Sequence, residues 1–151
     1  MKMEGVLGKM RFLVLSALAV LSACAGQQRF GTFVELAKHD AQVVAADAAR
    51  RVAEAWPAER HSMQIGESAD EPFARALIAA LRQVGFRVFT QQGAAADAVE
   101  LHFAVDTLGD SGLLRVTLYA QHVQWSRAYR NVGGELSHAG PWTGVGGEGG
   151  R

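Results

Sequence analysis

Between Asp70 and Gly85 the apolar residues Phe73, Ala76, Leu77, Ala80, Leu81 and Val84 fall at i, i+3, i+4, i+7, i+8 and i+11. That spacing makes one continuous apolar face on a helix, and such a face must be buried against something. Asp70 is placed to cap the helix, Glu71 and Pro72 lie in its first turn, and Gly85 occupies the left-handed position that ends it. On either side are short strand-like runs. His61 to Ile65 alternates, with Met63 and Ile65 on one side, and Phe86 to Thr90 is rich in aromatic and β-branched residues. A β-α-β unit of this kind can bury its helix only on a sheet, so the chain is committed to layers.

The sheet is extended downstream. Val99, Leu101, Phe103 and Val105 alternate with Glu100, His102, Ala104 and Asp106. After a turn-rich stretch from Thr107 to Gly112, Leu114, Val116, Leu118 and Ala120 alternate again. Gln121 and His122 read as a two-residue tip leading into Val123 to Arg130, where Val123, Trp125, Arg127 and Tyr129 share a face. The aromatic set and the preceding aliphatic set need not point the same way. Upstream, a helix from Asp40 carries Val44, Ala48, Val52 and Ala55 as a narrow stripe, with Arg50, Arg51 and Glu54 toward water, and Pro57 stops it after Trp56. Thr32 and Glu35 match a capping box and suggest one earlier helical turn. The expected fold is therefore α+β: a small two-layer domain, β-α-β followed by an antiparallel β-meander, preceded by one helix and a linker.

The amino-terminal stretch has a different character. Lys2, Lys9 and Arg11 precede Phe12 to Val20, apolar apart from Ser16, which is signal-peptide architecture. The run is shorter than the roughly 20 apolar residues that span a bilayer. It leads to Leu21-Ser22-Ala23-Cys24, which holds the only cysteine. Those four residues resemble the bacterial lipobox. The resemblance implies cleavage between Ala23 and Cys24, with Leu21, Ser22 and Ala23 recognised by the signal peptidase and Cys24 receiving lipid. Acyl chains on that residue would fix the domain permanently to a membrane. The alternative is an ordinary secretory signal with Cys24 a plain thiol. A single cysteine cannot form an internal disulfide, and lipidation explains its presence in an exported chain. The residue after it is Ala25 and not the aspartate that marks retention at the inner membrane, so the expected location is the outer membrane, facing the periplasm.

The boundaries follow: signal peptide 1–23, linker 24–39, domain 40–130 and a Gly-rich tail 131–151. The part after the leader is the size of one domain. It carries a small negative excess, because Lys2, Lys9 and Arg11 leave with the leader against Glu4 alone. That balance offers no basic face to nucleic acid. Eight of the twenty positions from Asn131 to Gly150 are glycine, so the tail should be irregular. Trp142 within it is expected to dock, on this domain's sheet or on a partner.

Apparent catalytic motifs have weak contexts. Gly109-Asp110-Ser111-Gly112 spells the nucleophile loop of trypsin-like proteases, yet it lies where two neighbouring strands must turn, and these are turn residues. Gly144-x-Gly146-x-x-Gly149 matches a dinucleotide fingerprint with no helix after it. Histidines 39, 61, 102, 122 and 138 never fall at a ligand spacing, so no metal and no cofactor is expected. Trp125, Arg127, Tyr129 and Trp142 remain as candidates for partner contact, because aromatics and arginine are favoured interface anchors. Packing beneath the domain's own helix is the competing role.

Taken in order, these features resemble a known family. The lipobox is followed by Trp56-Pro57-Ala58, then Pro72-Phe73-x-x-Ala76-Leu77-x-x-Ala80-Leu81-x-x-x-Gly85-Phe86-x-Val88. Ser126-Arg127-Ala128-Tyr129 and Gly140-x-Trp142-Thr143 complete the pattern. It is similar to the TrbH family of conjugal-transfer lipoproteins. The resemblance implies a structural or assembly component of the mating-pair-formation apparatus, a type IV secretion system, with partners among the subunits of its core complex. The element order is also similar to small ring-forming domains of secretins, which adds a homo-oligomer to the expected partners. The reading kept beside it is a periplasmic lipoprotein that binds a small ligand or a cell-wall component.

Overall fold

The computed structural model describes residues 29–66, 70–90 and 96–146. Eight strands among them form one mixed sheet, and two helices cover one of its faces. The elements are β1 (Gly31–Thr32), α1 (Lys38–Ala55), β2 (Ser62–Ile65), α2 (Pro72–Gln83), β3 (Arg87–Phe89), β4 (Val99–Thr107), β5 (Leu114–Ala120), β6 (Val123–Val132), β7 (Glu135–His138) and β8 (Thr143–Val145). A short 3-10 turn, Gly109–Ser111, separates β4 from β5.

The β-α-β unit is present as expected. β2 and β3 are parallel neighbours joined through α2, and β4 lies parallel to β2 on its other side. From β4 the chain runs antiparallel through β5 and β6 to β7, giving the order β3-β2-β4-β5-β6-β7. Two short strands complete the edges. β1 pairs parallel with the second half of β4, and β8 pairs antiparallel with the first half of β6.

Helix α2 buries Phe73, Leu77, Ile78, Ala80 and Leu81. The face is turned slightly from the expected one: Ala74 and Ile78 are inside, whereas Val84 is 38% exposed. Its N-cap is Glu71, with Pro72 as the first helical residue, and not Asp70. Glu71 has another use, since its carboxylate accepts the Thr32 backbone N–H at 3.0 Å. At the other end Phe86 N–H bonds the Leu81 carbonyl and Gly85 N–H that of Arg82. With Gly85 at φ 104, this is a Schellman ending, and Phe86 and Leu81 are both buried in the core.

Four expectations are corrected. The Thr32–Glu35 capping box does not form, because Gly31 and Thr32 are drawn into the sheet beside Ala104 and Val105. Ordered structure thus begins inside the stretch assigned to the linker, and α1 starts at Lys38 and not Asp40. Ala55 is exposed while Ala41, Ala45 and Ala49 are buried, so the α1 stripe is broader than four residues. Finally, the glycine-rich stretch is not irregular from Asn131: β6 continues to Val132, and β7 and β8 follow.

Candidate functional site

The four candidate residues of the carboxy-terminal half converge beneath α1. In the β5–β6 register Leu114 faces Tyr129, Val116 faces Arg127, Leu118 faces Trp125 and Ala120 faces Val123. The aliphatic and aromatic stripes therefore share one face, the one covered by the helices. Trp125 is 5% exposed and Tyr129 2%. The Trp125 ring meets Trp56 edge-on at 5.2 Å and carries the Arg51 guanidinium 4.5 Å from its centroid. Arg51 is expected in water; its guanidinium instead lies over the indole while Nη1 donates to Glu54 at 2.9 Å.

Asp47 of α1 is the hub that the sequence did not mark. Its Oδ2 accepts the Tyr129 hydroxyl at 2.7 Å and Arg127 Nη1 at 2.7 Å, while Oδ1 accepts from Arg50 at 3.3 Å. Arg127 turns its Nε–H to the Gly140 carbonyl at 2.9 Å, and its guanidinium lies 5.4 Å from the Trp142 ring. Burial would raise the Asp47 carboxyl, but the bonds from Tyr129 and Arg127 and the charges of Arg127 and Arg50 outweigh it, and its pKa falls below the ordinary value. Burial, then donation to Asp47, holds the Tyr129 phenol protonated well above its usual range. The Asp47 carboxylate is thus a fixed acceptor. It ties helix, sheet and tail together.

The tail docks on its own domain. Thr143 Oγ1 donates to the Ser126 carbonyl at 3.0 Å, and Ala139 N–H to that of Ala128 at 2.8 Å. Two glycines of the apparent dinucleotide fingerprint have packing roles here. A Cβ on Gly144 would stand 2.9 Å from Trp125 Cδ1, and one on Gly146, at φ 100, would stand 2.2 Å from the His122 carbonyl oxygen. Gly144 is the middle residue of the β8–β6 pairing and Gly146 follows its last pair.

Among the described residues, the opposite face of the sheet carries no helix. An open groove of about 580 Å³ there is lined by Asp106, Arg115, Thr117, Tyr119, Gln124 and Ser126. Its strongest internal tie is Arg115 on Asp106, Nε at 2.8 Å and Nη2 at 2.5 Å. Phe30 lies across one end, stacked on His102 at 4.5 Å and edge-on to Tyr119 at 5.2 Å. The motif at Ser111 is a turn: its hydroxyl donates to the Leu108 carbonyl at 2.5 Å and accepts the Leu113 N–H at 3.2 Å. Among the described residues no group of three or more His, Cys, Asp or Glu could hold a metal ion. Leu21, Ser22, Ala23 and Cys24 lie outside the described residues.

Compared with known proteins, residues 26–146 match a family model described as conjugal transfer protein TrbH. No curated protein and no solved structure matches the chain.

Proposed function

The chain belongs to the TrbH family of conjugal transfer proteins, and we propose that it acts in conjugation as a lipid-anchored structural component of the mating-pair-formation apparatus. In this reading Cys24 carries the acyl chains, the anchor lies in the outer membrane, and the domain stands in the periplasm against other subunits of the secretion core. The observation that carries it is the family match, which spans all the described elements. The lipobox-like Leu21-Ser22-Ala23-Cys24 directly before the match supplies the anchor. The polar cluster supports a structural role and not a catalytic one. Asp47, Arg127 and Tyr129 are committed to one another, and the hydroxyl of Ser111 is held by its own turn.

Among the described residues no helix is long and apolar enough to cross a membrane. In the proposed reading, acyl chains on Cys24 hold the domain at a bilayer, at about 0.8 kcal/mol per buried methylene. The test is Cys24→Ala in cells that conjugate. Metabolic labelling with palmitate should mark the wild type and not the variant, and mating should fall with the label. Normal mating by an unlabelled variant would overturn the proposal.

A further inference from the structure

We infer that the free face of the sheet lies against the headgroup layer of the membrane that holds Cys24, with the helical layer turned away from it. The inference rests on the lipid-anchor reading and adds an orientation that the anchor alone does not give. Three observations carry it.

The first is where the chain enters. Phe30 lies on the helix-free face, its ring on His102 and Tyr119, whose side chains alternate outward from the buried residues of β4 and β5. Arg29 lines the groove on that same face. The chain therefore leaves the domain over the sheet and away from the helices.

The second is reach. Five steps of chain separate Cys24 from Arg29, at most about 18 Å when fully extended. The sheet with its side chains is about 10 Å thick, and a helix adds about 10 Å. A bilayer touching the helical surface would lie some 20 Å from Arg29 in a straight line through the protein, and further by any path around it. The tether cannot cover that distance, whereas the free face is within a few residues of its start.

The third is what the face presents. Of the four exposed large apolar residues among those described, Phe33 at 51% and Val145 at 74% line this groove, while Val132 and Val84 lie outside it. The same groove is lined by Arg29, Tyr119, Gln124, Ser126 and the Asp106–Arg115 ion pair, while Thr117 is buried with its hydroxyl on that of Ser126. Apolar tips beside an amide, paired charges and an amphipathic phenol suit the boundary between headgroups and acyl chains, where aromatic residues with one wet end settle. The helical surface differs, with Lys38, Gln42, Arg75 and Gln83 bordering a shallow floor of alanines.

The experiment uses the full-length lipoprotein in vesicles of phosphatidylethanolamine and phosphatidylglycerol. Once Cys24 is a thioether, a cysteine introduced elsewhere is the reactive thiol for a nitroxide label. Phe33→Cys and Val145→Cys place it on the free face, and Ala79→Cys on exposed helix surface; all three are surface positions whose folding is checked by circular dichroism. Collision with oxygen relative to a water-soluble nickel chelate should be several-fold higher at 33 and 145 than at 79. Equal, water-like values at all three, or membrane contact at 79, would overturn the orientation. The same samples are assayed for acylation. An acylated protein with aqueous labels at 33 and 145 sinks the orientation alone, and a protein without acyl chains sinks the anchor and the orientation together.

Discussion

The Tyr129 hydroxyl on β6 donates to the Asp47 carboxylate on α1 across 82 residues of sequence, at 2.7 Å. The two groups titrate at opposite ends of the pH scale, which makes their bond visible in stability. Asp47 has a depressed pKa, so its contribution is present above the ordinary aspartate value, about 3.9, and is lost as the pH falls through the folded-state value. Tyr129 has a raised pKa, so its contribution is present below about 10 and is lost above that, as the unfolded chain ionises and the folded one resists. The contribution of this bond should be constant between these limits. Asp47→Asn should weaken the acid-side dependence and Tyr129→Phe the alkaline one, in urea titrations across pH.

Asp47→Ala should cost about 3 kcal/mol, the lower part of the range for breaking a largely buried ion pair, because Arg127 and the Tyr129 hydroxyl both lose their acceptor. Much of that loss should be recovered in Asp47→Ala with Arg127→Met, which removes the stranded charge. A double-mutant cycle in chemical denaturation reads the coupling. A cycle with no coupling energy would contradict the cluster.

Trp125→Ala removes an indole packed between Trp56, Arg51 and Gly144, and should destabilise the isolated domain by about 3–5 kcal/mol. A melting temperature close to that of the wild type would mean that Trp125 serves a partner rather than the core.

On α2, Leu77→Asp should unfold the domain, since Leu77 is fully buried and a carboxylate there has no partner. Arg82→Asp changes an exposed side chain whose Nη2 donates to the Val88 carbonyl at 3.2 Å, and should cost under about 1 kcal/mol. Thermal melts of the two variants beside the wild type decide the assigned face.

Gly146→Ala should strip β8 from β6, because its Cβ would overlap the His122 carbonyl and because φ 100 suits glycine alone. Gly140→Ala meets nothing within 4 Å and should be silent. Hydrogen exchange at β8 distinguishes them, with faster exchange expected only for the first.

What the sequence made readable was periodicity. The α2 face, the β4 and β5 alternation, the two-residue tip at Gln121 and His122 and the left-handed Gly85 all follow from short-range rules, and the structure has each of them. Long-range pairing was not readable. Asp47 carries no local signal, since nothing near it in sequence shows that Arg127 and Tyr129 will arrive from about 80 positions away. The tail was misjudged for a related reason: glycine lowers strand propensity, yet Gly144 and Gly146 are where β6 and the His122 turn come too close for any side chain. An arginine and a tyrosine alternating beside a tryptophan on a core-facing strand were the one available signal, because buried polar groups require a partner on the covering helix.

Strand β1 also has a mechanical meaning. A pull on the amino-terminal end of the chain meets the Phe30 ring on His102 and Tyr119 and then Gly31 and Thr32, held to β4 by two residues of parallel pairing, by Phe33 N–H on the Val105 carbonyl and by Thr32 N–H on Glu71. This is a small contact beside the seven-residue pairings of β4 with β5 and of β5 with β6. Under load it should give way before them, and residues 33–37, at most about 18 Å when fully extended, are freed once Val34 and Leu36 leave the core they pack against. The domain is coupled to its amino-terminal tether through a fuse, so that a tug is absorbed as added length while the folded core stays intact.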